Sequence, residues 1–274
     1  MTLQENKVQL ILSDIDGTIL DDNHQIDRQL PMTIQKLKEK ELPFILASAR
    51  SPKGIIPLAQ ALGLIDFPIV CYNGALIIES TLRRNQFIAE HPLREKEVVR
   101  IISELKENFP HVAINLYSGM DWIVEQTDEW VAQEMNITDD SPLHMSFEHY
   151  FDLKKHTHKL LLIEEAAVIN QVQEYLESLN LPDVSIYLSK DNYLEVTSTH
   201  VSKEQALLDI ADYYNIPLTN IMAFGDNFND LPMIKRAGIG VAMGNAPEEV
   251  KQGADIVTDS NNEHGVTRII AQYI

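Results

Sequence analysis

Val8-Gln9-Leu10-Ile11-Leu12-Ser13-Asp14-Ile15-Asp16-Gly17-Thr18 is an almost continuous apolar run that ends abruptly in two carboxylates. Apolar residues facing both ways suit a strand buried inside a parallel sheet, covered by helices on either side. Downstream, Asp27 precedes a helical pattern with Leu30, Ile34 and Leu37 on one face. The apolar run Pro43 to Ala47 and a helix-like stretch from Pro52 to Leu62 follow. A third short strand, Ile69 to Tyr72, leads into the turn Asn73-Gly74, after which Ala75 to Ile78 read as extended. Such strand–helix alternation predicts an α/β fold with a doubly wound, Rossmann-like parallel sheet.

The same alternation returns near the end of the chain. Ala206 to Tyr213 reads as a helix, Ile221 to Phe224 as a strand, Asp230 to Lys235 as a helix and Ile239 to Ala242 as a strand. A short helix after Pro247, a strand from Asp255 to Val257 and a terminal helix near Val266 to Ile270 complete it. The two ends therefore build one core domain, residues 1–82 and 192–274. Residues 83–191 form an inserted α/β domain with its own pattern, including a helix face at Val98, Ile101, Ile102 and Leu105 and another at Val168, Val172, Tyr175, Leu176 and Leu179.

Composition narrows the function. With 22 Lys and Arg against 41 Asp and Glu, the formal net charge is −19. That charge disfavours nucleic acid and anionic membranes as partners. A single cysteine, Cys71, cannot form an internal disulfide, which fits a reducing compartment. No stretch of about 18 uncharged apolar residues is present, and the first residues lack a signal-peptide core. A cytoplasmic location is expected.

Strand period two points Asp14 and Asp16 toward the same side, at the carboxyl edge where doubly wound sheets bind ligands. A second acidic cluster, Gly225-Asp226-Asn227-Phe228-Asn229-Asp230, follows another expected strand whose end can lie beside the first. Four acids in one small volume repel one another unless a cation intervenes, and an all-oxygen donor set suits Mg²⁺. Asp-x-Asp-Gly could also open a calcium loop, but the twelfth position counted from Asp14 is Gln25, and a strand precedes it where a helix is needed. Either cluster alone could be a turn, because Asp, Asn and Gly favour turns. Together they point to a metal.

Asp14-Ile15-Asp16-Gly17-Thr18, Ser48-Ala49-Arg50, Lys203 and Gly225-Asp226-Asn227-Phe228-Asn229-Asp230 resemble, in order, the four motifs of the haloacid dehalogenase (HAD) superfamily. Asn73-Gly74-Ala75 matches its Asn-Gly turn, and the inserted block matches the large α/β cap of its Cof-type phosphatases. The resemblance implies that Asp14 attacks phosphorus and that Asp16 serves as general acid and base. It implies Mg²⁺ on the side chains of Asp14 and Asp226 and the backbone carbonyl of Asp16. Ser48, the Ala49 N–H, Lys203 and Asn229 would bind phosphate, with Thr18, Asp230, Asn73 and Gly74 in support. Arg50 reads as structural support.

Two departures stand out: Ser48-Ala49-Arg50 where many relatives have Thr-Gly-Arg, and Glu204 after Lys203 where Gly is frequent. Ser keeps the hydroxyl and Ala the N–H, so modest tuning is expected. The implied function is Mg²⁺-dependent hydrolysis of a phosphomonoester through an aspartyl-phosphate, on a small phosphorylated metabolite such as a sugar phosphate. A phosphomutase and a non-catalytic phosphometabolite-binding protein are the alternatives. Oligomeric state and the exact substrate are not legible. Lys154, Lys155 and Lys159 form a local basic patch, read more readily as a solvated face than as a lure for an anion, and His156 and His158 read as a solvated strand edge without a role.

Overall fold

The computed structural model describes residues 8–79 and 87–273. In chain order the strands are β1 (Leu10–Ser13), β2 (Phe44–Ala47), β3 (Pro68–Cys71), β4 (Leu76–Glu79), β5 (Phe87–Glu90), β6 (Ala113–Ser118), β7 (Asp121–Val124), β8 (Leu143–His144), β9 (Lys159–Ile163), β10 (Val184–Lys190), β11 (Tyr193–Ser198), β12 (Ile221–Gly225), β13 (Ile239–Ala242) and β14 (Ile256–Val257). The helices are α1 (Leu30–Glu39), α2 (Pro52–Ala61), α3 (Glu95–Asn108), α4 (Glu129–Thr138), α5 (Phe147–Asp152), α6 (Ala166–Ser178), α7 (Lys203–Tyr214), α8 (Leu231–Arg236), α9 (Glu248–Gln252) and α10 (Gly265–Ile270). None of the described helices is long and apolar enough to cross a membrane.

Among the described residues, one compact unit comprises residues 8–50, 55–79, 87–89 and 202–273. Its sheet runs β14-β13-β12-β1-β2-β3-β4-β5. Pairing is parallel from β14 across to β3, and β4 returns antiparallel on β3. The apolar runs are explained by this topology: every residue of β1, β2, β3 and β12 is buried. Leu10, Leu12, Ile45, Ala47 and Val70 pack with Ala206, Leu207, Ile210 and Ala211 of α7. The chain leaves β1 toward β2 and β3, then returns to the other side of β1 as β12, so the strand order reverses between β1 and β12. Ligands of open α/β sheets bind in the crevice at such a reversal.

The other unit comprises Ser51–Gly54 and Glu90–Val201, with a sheet in the order β10-β11-β9-β6-β7-β8. Its pairs are antiparallel except β7 with β8. The stripe Val98, Ile101, Ile102 and Leu105 on α3 and Ile169, Val172 and Leu176 on α6 cover one face of this sheet, packing on Leu116, Leu160, Leu162, Leu194 and Val196. A border at 191/192 would cut the turn of the β10–β11 hairpin. Since β11 pairs with both β10 and β9, residues 193–198 belong to this second sheet. The other expected border, at 82/83, lies outside the described residues.

Within this second unit Asn115 ties two strands. Trp122 Nε1 donates to Asn115 Oδ1 at 2.9 Å, and Asn115 Nδ2 donates to the Leu161 carbonyl at 3.1 Å, all fully buried. Asn115→Ala leaves a buried indole N–H without its partner and removes a side-chain donor from the Leu161 carbonyl. The unmade indole bond predicts a loss of about 1–3 kcal/mol in urea unfolding; a loss below about 0.5 kcal/mol would mean that water satisfies the indole.

Candidate active site

Parallel register sets the strand ends level. Ser13 lies opposite Phe224 of β12 and opposite Leu46 of β2, and the Asp14 N–H donates to the Phe224 carbonyl at 3.0 Å. Asp14, Ser48 and Asp226 therefore emerge from three adjacent strands at one carboxyl edge. Lys203 arrives from another direction, as the first residue of α7, whose N-terminus is capped by Ser202 accepting from the Gln205 N–H at 3.0 Å. Gly74, at φ 106°, lets that terminus approach, because a Cβ there would stand 2.7 Å from the Ser202 carbonyl oxygen.

Lys203 Nζ donates to Asp14 Oδ1 and to Asp230 Oδ1, each at 2.5 Å. All three side chains are buried. Asp230 has little left to offer: its Oδ2 accepts the backbone N–H groups of Asp226 and Asn227 at 3.0 Å each. Thr18 Oγ1 lies 3.3 Å from Asp14 Oδ2 and 3.2 Å from Asp226 Oδ1, between the two carboxylates that remain open. Gly17 permits this closeness twice over. Its φ is 77°, and a Cβ would lie 2.4 Å from Asp226 Oδ2.

Charge does not balance here. Carboxylate oxygens of Asp14, Asp226 and Asp230 lie within 4.8 Å of one another, and the Lys203 ammonium pairs with only two of the three. Burial pushes the Asp14 carboxyl well above the usual carboxylate range, with the Asp230 and Asp226 charges adding and Lys203 opposing. Burial and Asp230 likewise push Asp226 up to about 6. For Lys203, burial works against the charge, but Asp14 and Asp230 outweigh it and hold its pKa above that of an ordinary lysine. A hard divalent cation fits the surplus of negative charge and the all-oxygen donors.

The expected site residues do not all converge. The exposed carboxylate of Asp16 is turned to Arg50, whose Nε and Nη2 donate to its two oxygens at 2.9 and 2.5 Å. Arg50, expected only as support, is thus a direct partner of Asp16. Ser48 is buried, and its Oγ accepts the Arg50 N–H at 3.2 Å; Ala49 lies between them in the chain. Asn229 Nδ2 donates to Asn73 Oδ1 at 3.3 Å rather than to the carboxylate cluster. One further residue, Asn245, enters without a sequence signal of its own: Nδ2 donates to the Gly17 carbonyl at 2.9 Å and reaches Asp226 Oδ2 at 3.4 Å.

The basic patch is not free. Lys154 pairs with Glu95, Lys155 with Asp121, and Lys159 is buried beside Glu195. His158 is buried as well, not on a solvated edge: its Nδ1 accepts the Gly119 N–H at 3.0 Å, and its Nε2 faces Glu90.

The model of the haloacid dehalogenase-like hydrolase family matches residues 11–270. The chain belongs to the haloacid dehalogenase-like hydrolases. A Haemophilus influenzae relative is 34% identical over 265 residues, covering 96% of this chain and 97% of its own. The 5-amino-6-(5-phospho-D-ribitylamino)uracil phosphatase YcsE of Bacillus subtilis is 28% identical over 268 residues, covering 97% and 96%. The crystal structure of a haloacid dehalogenase-like hydrolase from Bacteroides thetaiotaomicron superposes with a TM-score of 0.88 at 30% identity, covering 98% of this chain and 100% of that one. This HAD chain is accordingly an enzyme with phosphatases as its relatives, and its fold is the HAD α/β fold.

Two outcomes follow from the charges of this HAD site. Lys203→Met leaves Asp14 and Asp230 buried face to face without their cation, so urea unfolding in EDTA near neutral pH should show a loss of about 3–5 kcal/mol. The second concerns pH. Because the folded pKa of Asp226 is raised, its contribution to stability is full below the unfolded value of about 4 and is lost as pH rises through about 6. A divalent cation reverses the preference, since it binds the ionised form. The rise in Tm produced by Mg²⁺ should therefore be larger at pH 7.5 than at pH 5, measured by calorimetry with and without EDTA.

Proposed function

We propose that this HAD enzyme is a Mg²⁺-dependent phosphomonoester hydrolase that works through an aspartyl-phosphate on a small phosphorylated metabolite, with sugar and ribityl phosphates as the substrate class. The observation that carries it is the buried Lys203 ammonium, 2.5 Å from both Asp14 and Asp230, beside the open oxygens of Asp14 and Asp226 at the strand ends. Asp14, Asp226 and the Asp16 carbonyl would hold the cation. When bound, Mg²⁺ supplies charge neutralisation and alignment of the phosphate oxygens.

The chain's own residues do the rest. Lys203 anchors Asp14 through Oδ1, leaving Oδ2 as the oxygen to attack phosphorus. The P–O bond to the leaving group breaks as the bond from Asp14 to phosphorus forms, and Asp16 passes a proton to the departing oxygen. Asp16 then takes a proton from water, whose oxygen attacks phosphorus and releases Asp14 and inorganic phosphate. Arg50 occupies both Asp16 oxygens, so each transfer requires Asp16 to swing off Arg50. Ser48, the Ala49 N–H, Lys203 and Asn229 would bind the phosphoryl oxygens as charge develops.

Several features support the substrate class. YcsE is named for a substrate whose phosphate sits on a ribityl chain, a polyhydroxylated carbon skeleton like that of a sugar phosphate. The negative formal charge disfavours polyanionic substrates such as nucleic acids. The second unit, taken as a cap, would provide selectivity. The fully buried thiol of Cys71 is compatible with a cytoplasmic setting.

Phosphate release from p-nitrophenyl phosphate and a panel of sugar, ribityl and nucleotide phosphates, with Mg²⁺ or EDTA, tests this function. Asp14→Asn should lower kcat by at least about 10⁴-fold, EDTA should abolish release, and the sugar or ribityl phosphates should have the highest kcat/KM. Folded wild-type protein that releases no phosphate from any compound would instead favour a mutase, detected by isomerised sugar phosphate, or a binding protein.

A further inference from the structure

Asn245 occupies a position that no element of the proposed chemistry uses. It follows the end of β13 in the loop at the carboxyl edge. Its Nδ2 donates to the carbonyl of Gly17, within the Asp14–Thr18 turn, at 2.9 Å and lies 3.4 Å from Asp226 Oδ2. Asp226 is thereby held from both sides, since Thr18 Oγ1 contacts its other oxygen at 3.2 Å. Neutral donors on the two oxygens of this half-buried carboxylate fix its plane without neutralising it, so its charge stays available to a cation.

The amide of Asn245 is itself oriented. Its Oδ1 accepts the Asn261 N–H at 3.0 Å, which decides that Nδ2 faces Gly17 and Asp226. Asn261 is anchored in turn: its Nδ2 donates to the Leu20 carbonyl at 3.0 Å and to Asp22 Oδ1 at 3.1 Å. Asn261 Oδ1 is the buried side-chain polar atom without a partner among the described residues. The side chain of Asn261 thus tolerates an unmade bond while its N–H groups secure the loop after Thr18 and the amide of Asn245. Three loops, after β1, β13 and β14, are thereby tied together beside the Asp226 carboxylate.

We propose that Asn245, set by Asn261, is a positioning residue that holds Asp226, and through the Gly17 carbonyl the Asp14–Thr18 turn, ready for the divalent cation. The inference rests on the metal-dependent function above and adds to it the group that orders one side of the site before the cation arrives. Groups that orient metal ligands typically change metal affinity by about 10–100-fold when removed.

Mn²⁺ binding to the full chain, followed by titration calorimetry at pH 7.5, tests the proposal without relying on turnover. Asn245→Ala, and Asn245→Leu with nearly the shape of Asn but no donor, should each raise Kd for Mn²⁺ by about tenfold or more. Asn262→Ala, next to Asn261 in the loop after β14 and hydrogen-bonded through its side chain to Asp22, should bind as the wild type does. In phosphate-release assays the two Asn245 variants should show a raised KM for Mg²⁺ with kcat recovering at saturating Mg²⁺. Both variants binding Mn²⁺ within about twofold of wild type would overturn the proposal. So would a collapse of Tm in EDTA for both, which would make Asn245 a fold-stabilising loop residue. Wild-type protein that binds no Mn²⁺ would overturn the metal-dependent function itself, a result distinct from variants that match a wild type that binds.

Discussion

A single ammonium placed between two buried carboxylates governs the arrangement of the core. Lys203 gains two short charge-assisted bonds, and in exchange three long-separated pieces of chain must meet: the end of β1, the start of α7 and the turn before α8. Removing charges from water costs several kcal/mol per ion, so such a cluster persists only when every charge is met by a partner of good geometry. Asp230 meets that condition with Lys203 and two backbone N–H groups. Asp14 has Lys203 on one oxygen and Asp226 has only the neutral donors Thr18 and Asn245, so the uncompensated negative charge lies on these two.

The sheet explains why those two are neighbours. In a doubly wound sheet only one pair of adjacent central strands has connections leaving in opposite directions, and here it is β1 and β12. The chain beyond each strand turns away, and the space left between the turns is where Asp14 and Asp226 stand. Apolar burial along the four central strands makes the scaffold rigid, so that carboxylates at its edge are held close despite their mutual repulsion. The repulsion at the edge is supported by the core beneath it.

Most of the core was legible because its elements have strong periodicity or unbroken apolar runs, and the two Asp-rich segments mark the ends of adjacent strands. What was not legible depends on tertiary contacts. Lys203 by itself reads as an exposed helix-start lysine, and only Asp14 and Asp230 explain its burial. The amphipathic signal of α4 is weak because that helix buries only Val131 and Glu134, the latter bonded to Tyr193. Lys159 and His158 sit in a polar stretch but are buried against Glu195 and Glu90, partners 36 residues downstream and 68 residues upstream of them. A border drawn at 191/192 missed β11, since a strand flanked by a tight Asp191-Asn192 turn belongs to whichever sheet its partners occupy. Arg50 and Asn245 carry no motif spacing that reveals Asp16 or Asp226 as their partners.

Attraction for a phosphate cannot come from the site's own side-chain cations alone. Lys203 is shared by two carboxylates and Arg50 is engaged by Asp16 through both oxygens, so each is at least neutralised before an anion arrives. The chain as a whole carries a formal charge of −19, and its field opposes the approach of a doubly charged phosphomonoester. On the proposed function, the missing positive potential is supplied locally by the divalent cation, within a few ångströms of the nucleophile where screening is weakest. The same acids that repel phosphate on their own would then hold the cation that attracts it, and Lys203 would both fix Asp14 and meet the phosphoryl oxygens as charge develops.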